Sequence, residues 1–426
     1  MSEKAAGMKL RIVCTKCGDT LPPLAHVCPR CPDALPRAEY AEKRFVMQDR
    51  GDIFRFAAWL PAEATVETTI GPTVFRSEQL AETLGLTELS VAFSGYAPEV
   101  TARNVTGTFK DFEALPTLLY LREHGATGVV LASAGNTARA FAYAAGVLGF
   151  PTTIVVPEAA AASVWVPARP TEDVRLIVLA KSADYATAIR LAGAIAARYG
   201  IHPEGGARNV ARRDGMGTTI LEYARIERRL PRHYVQAVGS GTGAIAAWEA
   251  ALRLQATGEF GDPAPQLHLA QNVPFTPIHD AWTAGEEIEP ERDVEGQLRR
   301  IAAITAPVLA NRTPPFALEG GVRAALRATG GHTYAVTNSE IEAAQRLFEE
   351  REGLRIGPES GAALAALCQG LALGWIDRAE SVLLHVTGNG DAVLRRDVAL
   401  RPVPVWRRVP PERDAALQAL DRAFAR

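Results

Sequence analysis

Thr106-Gly-Thr-Phe-Lys110-Asp111 and Ser133-Ala-Gly-Asn136-Thr137 are the two stretches of this sequence that decide its fold. The first places a lysine on a tight turn just before a predicted helix, Asp111–Glu123. The second lies between an apolar run at 128–132 and a predicted helix at 138–148. Because a helix N-terminus carries partial positive charge, we expect the lysine amine to have a lowered pKa and an anionic ligand nearby. Such a lysine suits Schiff-base chemistry with pyridoxal phosphate (PLP), with two ordinary turns as the alternative.

The composition of the 426 residues is that of a globular protein long enough for two domains or more. A net charge of -2 offers no electrostatic case for nucleic acid or an anionic membrane as the main partner. No stretch reaches the roughly 18 apolar residues of a membrane-spanning helix, and the sequence after Met1 lacks a signal-peptide core. We therefore expect a soluble, cytoplasmic protein.

Four of the five cysteines lie close together, as Cys14-x-x-Cys17 and Cys28-x-x-Cys31. Cys14, Cys17, Cys28 and Cys31 can hold one tetrahedral metal ion through four thiolates. The spacing predicts a structural zinc ribbon, because four thiolates leave no open position for catalysis. A reduced, metal-free arm is the alternative, since Pro32 stands where many such turns carry glycine. Cys368 lies in a predicted apolar helix and is expected in the core.

Strands and helices alternate from about residue 125 onward. Apolar, β-branched runs at 127–132, 152–156 and 174–179 are predicted strands, and the stretches at 137–148 and 182–199 are predicted helices. Further strands are predicted at 233–238, 267–270 and 381–386. This alternation implies an α/β fold with parallel sheets and right-handed crossovers.

The domain organisation that we predict has three parts. Residues 1–40 form a zinc-ribbon-like segment, residues 121–199 form a smaller α/β domain, and residues 41–120 with 200–426 form a large domain that binds the cofactor. The stretches 274–277 and 313–316 are rich in proline and are expected to be loops near a cleft.

Two glycine turns follow predicted strands of the large domain. Gly239-Ser240-Gly241-Thr242-Gly243 precedes a helix, so its backbone N–H groups can converge on a phosphate. A dinucleotide loop is disfavoured, because the third glycine and the later acidic residue of that fingerprint are missing. Thr387-Gly-Asn-Gly390 ends another strand, and its hydroxyl could face a pyridine nitrogen without protonating it. A neutral partner there favours elimination and replacement over transamination.

Three arginines, Arg208, Arg212 and Arg213, lie on a stretch flanked by glycines. Arginine binds phosphate and sulfonate through paired hydrogen bonds, so this stretch could clamp an anion. A solvated basic face explains the same pattern equally well.

These motifs resemble those of the fold-type II PLP enzymes, which share the tryptophan synthase β-like fold of two open parallel sheets. The lysine stretch looks like the Ser-Phe-Lys-Asp motif of the threonine synthase family, and the asparagine loop is similar to its Ser-Gly-Asn-Thr. Thr387-Gly-Asn-Gly390 is similar to its Thr-Gly-His-Gly turn. Residues 53–61, 204–218 and 239–248 are most similar to the cysteate synthases within this family. The resemblance covers about residues 10–400.

The resemblance implies a cofactor site. Lys110 would form the Schiff base with PLP and move the α-proton of the substrate. Asn136 would bind the hydroxyl of the ring, Thr387 would face the ring nitrogen, and residues 239–243 would bind the phosphate.

For the substrate, the resemblance implies that Ser133 and Thr137 hold the carboxylate. The arginines at 208, 212 and 213 are the candidates for the anion. The expected enzyme is a lyase or transferase of amino-acid biosynthesis, homo-oligomeric like its relatives, that replaces the phosphate of O-phospho-L-serine with sulfite to form L-cysteate. A threonine synthase acting on O-phospho-L-homoserine, a variant using another nucleophile, a non-catalytic PLP- or metal-binding protein and a nicotinamide dehydrogenase are the alternatives.

Overall fold

The structure, a computed structural model, describes residues 8–133, 135–180, 183–288 and 293–424. In these residues the strands are, in chain order, β1 (Leu10–Cys14), β2 (Thr20–Leu21), β3 (Pro36–Tyr40), β4 (Thr73–Arg76), β5 (Glu88–Phe93), β6 (Tyr96–Ala97), β7 (Ala102–Arg103), β8 (Val129–Ala132), β9 (Thr152–Pro157), β10 (Trp165–Val166), β11 (Val174–Leu179), β12 (His202–Pro203), β13 (His233–Ala237), β14 (Gln266–Asn272), β15 (His332–Val336), β16 (Ser381–Val386), β17 (Arg401–Pro402) and β18 (Val405–Val409). The helices are α1 (Glu78–Leu84), α2 (Asp111–Glu123), α3 (Asn136–Leu148), α4 (Tyr185–Tyr199), α5 (Val210–Glu227), α6 (Thr242–Thr257), α7 (Pro277–Ala284), α8 (Val294–Ala302), α9 (Val322–Thr329), α10 (Asn338–Glu352), α11 (Pro358–Ala372), α12 (Asp391–Asp397) and α13 (Arg413–Phe424).

The smaller of the two main sheets has five parallel strands in the order β12-β8-β9-β11-β18. Its central strand β9 is buried along its whole length, which explains its β-branched sequence. Helix α4 covers one face, where Leu191 and Ile195 pack against Val155 and Ile177. The predicted strands at 127–132, 152–156 and 174–179 are confirmed.

The larger sheet has six strands in the order β15-β14-β13-β16-β5-β4, parallel except for the edge pair β4–β5. Helix α11 packs over this sheet with buried leucine and alanine side chains. The predicted strands at 233–238, 267–270 and 381–386 are confirmed, so the predicted α/β fold with two parallel sheets is confirmed.

Some predicted boundaries differ from the structure. The helix predicted at 182–199 is observed as α4 from Tyr185 onward, and residue 182 lies outside the described residues. The predicted loop at 274–277 ends in the first residue of α7, because proline is well tolerated at the first position of a helix. Strand β18 joins the smaller sheet beside β11, although the predicted division placed it in the large domain. The other domain boundaries stay a prediction.

The cysteine segment forms a small antiparallel sheet, β2-β1-β3, of its own. The arm that follows it contains a short 3-10 helix, Ile53–Trp59, whose apolar side chains are buried in the main core. No helix among the described residues is long and apolar enough to cross a membrane.

The loops that carry the sequence motifs follow the carboxyl ends of strands in both sheets. Strands β8, β13 and β16 lead into the asparagine loop, the Gly239 loop and the Thr387 turn at their carboxyl ends. Ligand sites of open parallel sheets lie at these ends. The lysine turn at residues 106–110 reaches the same place by pairing with the Thr387 turn, as an isolated bridge between Thr108 and Gly388.

The contact between α2 and α5 depends on glycine. A Cβ atom on Gly215 would lie 1.9 Å from the carbonyl oxygen of Phe112. We expect Gly215→Ala to lower the free energy of unfolding by roughly 1–3 kcal/mol, because α2 must move away. Gly193→Ala on α4 is the matched control, since nothing lies within 4 Å of its Cβ position. Equal urea unfolding curves for the two variants would contradict this role of the helix contact.

Candidate active site

Lys110 lies directly before α2, at its N-cap position, with its side chain 18% exposed. Its Nζ atom is 3.6 Å from Oε2 of Glu113, one turn into the helix, and lies over the ring of Phe109 at 4.5 Å. Burial lowers the pKa of Lys110 to about 8; the negative charge of Glu113 opposes the shift and the positive charge of Arg212 adds to it. The predicted direction is confirmed, but burial is its main cause.

The lysine turn and the Thr387 turn are held against each other by backbone hydrogen bonds. The N–H of Phe109 donates to the carbonyl oxygen of Thr387 at 2.9 Å, and the N–H of Asn389 donates to that of Gly107 at 3.2 Å. A Cβ atom on Gly388 would lie 2.9 Å from the Gly107 carbonyl oxygen, so this close approach needs glycine. The pairing fixes the position of Lys110 relative to the buried side chain of Thr387.

A carboxyl group that the sequence did not reveal lies beside the Thr387 turn. Oε1 of Glu359 is 3.2 Å from the Cβ position of Gly388. Burial raises the pKa of Glu359 to about 7. Glu359 could not be recognised as a site residue from the sequence, because it belongs to the first turn of α11, whose sequence is typical of a buried core helix.

The Gly239 loop forms a cradle at the N-terminus of the four-turn helix α6. Gly241 has a φ of 76°, which favours glycine, and a Cβ atom there would lie 2.2 Å from Cγ2 of Val322. A Cβ atom on Gly243 would lie 3.1 Å from Cε2 of Phe109, so the loop borders the lysine turn. Ser240 and Thr242 hydrogen-bond to each other through their hydroxyls at 2.8 Å. Bare backbone N–H groups at a helix N-terminus fit a phosphate.

Asn136 is the first residue of α3, and its side-chain amide has a defined orientation. Nη1 of Arg139 donates to Oδ1 of Asn136 at 3.3 Å. The oxygen of the amide therefore already accepts a hydrogen bond, which leaves the Nδ2 group as donor. A donor at this position fits the oxygen of a cofactor ring.

The hydroxyl of Ser133 serves the helix as well as the site. It accepts hydrogen bonds from the N–H of Ala138 at 3.2 Å and, weakly, from that of Gly135 at 3.5 Å. Thr137 lies in the first turn of α3 and is half-buried. Ala134, between these motif residues, lies outside the described residues.

Arg208 and Arg213 do not face the lysine, which corrects the predicted anion clamp. Arg208 donates to the carbonyl oxygens of Pro32 and Ala34, at 2.8 and 3.1 Å. Arg213 is fully buried and its Nε donates to Glu249 at 2.8 Å. Both guanidinium groups hold the cysteine segment and the core, so neither is available to a substrate anion.

Arg212 does lie near Lys110, but its charge is balanced. Its Nε is 2.9 Å from Oε2 of Glu113, and its Nη1 is 2.9 Å from Oε1 of Glu204. Two carboxylates beside one guanidinium offset its charge, which does not favour binding of a phosphate. The role of Arg212 as an anion binder stays a prediction. Glu113 and Glu204 were missed, although the i, i+3 spacing of Lys110 and Glu113 is a readable signal.

The four cysteines of the N-terminal segment converge on one point. Sγ atoms of Cys14, Cys17, Cys28 and Cys31 all lie within 4.8 Å of one another, as a tetrahedral thiolate site requires. The donor set fits zinc. The segment is also tied to the body of the protein, because the N–H of Leu35 donates to the carbonyl oxygen of Glu319 at 2.9 Å.

Comparisons with known proteins agree with this geometry. The family described as pyridoxal-phosphate dependent enzymes matches residues 100–388. Cysteate synthase of Methanocella paludicola is 46% identical over 92% of this chain and 92% of its own length. That of Methanosarcina barkeri is 45% identical over 92% of this chain and 94% of its own length.

Solved structures share the fold. Maize serine racemase superposes with a TM-score of 0.57 at 17% identity, covering 76% of this chain and 92% of that one. Serine racemase from Dictyostelium discoideum gives a TM-score of 0.55 at 19% identity, covering 74% and 91%. At these identities the likeness supports the fold alone.

Substitution of one cysteine tests whether the cluster binds zinc. We expect Cys28→Ser to lose bound zinc and to lower the thermal unfolding midpoint, because one of four thiolate ligands disappears. Cys368→Ser, whose cysteine lies outside the cluster on α11, is the control and should keep its zinc. Metal content by plasma mass spectrometry, together with calorimetry, makes the comparison. A wild-type protein that binds no zinc would show the cluster to be a free thiol group.

Proposed function

The chain belongs to the family of pyridoxal-phosphate dependent enzymes, and we propose that it replaces the phosphate of O-phospho-L-serine with sulfite. The Cβ–O bond of phosphoserine breaks, a Cβ–S bond to sulfite forms, and the products are L-cysteate and phosphate. The observation that carries the proposal is the identity of 45–46% with two cysteate synthases over 92% of the chain. A lysine at the meeting point of two strand-end loops, the Thr387 turn and the Gly239 loop, supports it.

The residues at this meeting point fit PLP. In the proposal, Lys110 binds the cofactor through its amine, and the cradle at residues 239–243 binds its phosphate. Nδ2 of Asn136 donates to the oxygen of the ring, and Thr387 faces the ring nitrogen. When bound, the cofactor withdraws electrons from Cα of the substrate, which acidifies the Cα proton and assists departure of the group on Cβ.

Lys110 moves the proton in this proposal. With a pKa of about 8, roughly a tenth of the amines is neutral at pH 7, far more than for an ordinary lysine, and the neutral amine can accept the proton of Cα. The same nitrogen returns the proton once sulfur is attached. Ser133 and Thr137, beside the N-terminus of α3, are the proposed partners of the substrate carboxylate.

Arg139 replaces the earlier arginines as the proposed partner of the substrate phosphate. It is half-buried on the first turn of α3, with its guanidinium 4.4 Å above the ring of Trp165. Its Nε donates to the carbonyl oxygen of Ser163 at 2.7 Å, and among the described residues it forms no ion pair within 4.0 Å, although the charge of Asp391 acts on it from farther away. A cation beside Asn136 without a carboxylate partner can bind an incoming or departing anion.

The proposed location is the cytoplasm, and the proposed assembly is a homo-oligomer. Light scattering on the purified protein would test the assembly.

The activity itself is tested by mixing the purified protein with PLP, phosphoserine and sulfite, and measuring cysteate and phosphate. We expect both products from the wild type and a loss of at least about 100-fold in Lys110→Ala, because the proton-transferring group is gone. The variant should also lose the absorbance of lysine-bound PLP near 410–430 nm. Phosphate release from O-phospho-L-homoserine, with none from phosphoserine, would select threonine synthase instead.

Substitution of Arg139 tests recognition of the phosphate. Arg139→Ala should weaken phosphoserine binding by about 10- to 100-fold, because a charge-assisted hydrogen bond is lost. Binding of L-serine, which has no phosphate, should change little. Both affinities can be read from the absorbance of the bound cofactor, and Arg139→Lys should restore part of the phosphoserine affinity. An equal loss for both ligands would mean that Arg139 only orients Asn136.

A further inference from the structure

A buried carboxylate lies beside the lysine amine, and the role proposed above leaves it unexplained. We infer that Glu113 is a positioning residue, which holds the amine of Lys110 in place as an ammonium after it has taken the substrate proton. The inference rests on the proposed function and adds a residue to it.

The geometry places Glu113 between two cations. Its side chain is fully buried, and Oε2 lies 3.6 Å from Nζ of Lys110 and 2.9 Å from Nε of Arg212. Arg212 is in turn 2.9 Å from Oε1 of Glu204. The four charges therefore alternate in sign along a row of successive ion pairs that begins at the reacting amine.

Both carboxylate oxygens of Glu113 can accept further hydrogen bonds. Among the described residues, neither of its oxygens accepts a hydrogen bond of ordinary geometry, and its two contacts are ion pairs. A buried carboxylate is costly unless donors surround it. A protonated amine on Lys110 supplies such a donor, while a neutral amine supplies a weaker one. The carboxylate therefore favours the ammonium and fixes where it lies.

The proton step balances with this assignment. The Cα–H bond of the substrate breaks, an N–H bond forms at Nζ of Lys110, and the electron pair stays with the substrate. Glu113 takes no proton and gains a charge-assisted contact with the new ammonium. Because the amine is held, it stands ready to return the proton to the same carbon atom.

The charges near Lys110 determine whether its pKa rises or falls when the charge of Glu113 is removed. Glu113 on its own helix and Glu204 in the loop before α5 favour the ammonium, whereas Arg212 on α5 and burial oppose it. Removing the charge of Glu113 leaves the opposing influences in place. The ammonium of Lys110 should then be lost at a lower pH than in the wild type.

The rate at which the cofactor-free protein takes up PLP reports the pH at which Lys110 loses its proton, since only the neutral amine attacks the cofactor. We expect the midpoint of uptake rate against pH to fall by about one unit or more in Glu113→Gln, the usual effect of losing an opposite charge at this distance. The matched control is Glu249→Gln, which also unpairs a buried arginine, Arg213, but lies outside the row. Its midpoint should equal that of the wild type.

Exchange of the Cα proton of phosphoserine with deuterium from the solvent gives a second readout on the loaded enzyme. At a pH where the amine is neutral in both proteins, exchange should slow by up to about tenfold in Glu113→Gln, because a base about one pKa unit weaker holds the transferred proton less strongly. Glu113→Asp keeps the charge at a greater distance, so its uptake midpoint should lie between those of the wild type and Glu113→Gln. If Glu113→Gln does not fold, Glu113→Asp alone decides.

An unchanged uptake midpoint in a folded Glu113 variant, or an equal shift in Glu249→Gln, would overturn the inference. Failure of the proposed function would appear in a different experiment, as the absence of cysteate from phosphoserine and sulfite. The uptake experiment needs no substrate, so it still reports on Glu113 if no cysteate is formed.

Discussion

A charged amine cannot stay inside a protein without an opposite charge nearby, and the active site is organised around this constraint. Lys110 is largely buried and is accompanied by Glu113, which in turn needs Arg212, which needs Glu204. The row couples one end of α2 to α5 and to the loop before it. Close approach of these helices at Gly215 is what brings the charges within ion-pair distance.

The cysteine segment extends this arrangement outward. The loop that carries Glu204 is covered by the segment, because the ring of His26 occupies the place where Gly205 would have a side chain. Arg208 and Arg213 bind carbonyl oxygens of the same segment. A metal held by the four thiolates would therefore stiffen a surface that lies directly behind the charged row. This gives the small N-terminal segment a physical link to the lysine.

The order of residues in the sequence does not show in which direction an arginine side chain points once its helix has formed. Arg208, Arg212 and Arg213 are close in sequence, a pattern that fits one clamp or one solvated basic face, but the onset of α5 turns their side chains in different directions. Neighbouring residues on a helix do not share a face. Arg139 has no such sequence signal, because a single arginine in a helix of small residues forms no pattern. Its hydrogen bond to Asn136 distinguishes it only in the folded protein. The strands, in contrast, were readable because buried parallel strands require continuous apolar, β-branched runs.

The sequence by itself determined the fold class, the lysine turn, the two glycine turns and the thiolate cluster. Each of these depends on residues that are adjacent in the chain, where backbone geometry and side-chain chemistry follow from local order. Only the tertiary structure decided which further charges act on the lysine, since Glu204 and Arg212 come from elements other than the helix that Lys110 begins. The distances between these charges depend on how helices and sheets pack. An arginine that is already paired with carboxylates is less able to bind a substrate anion.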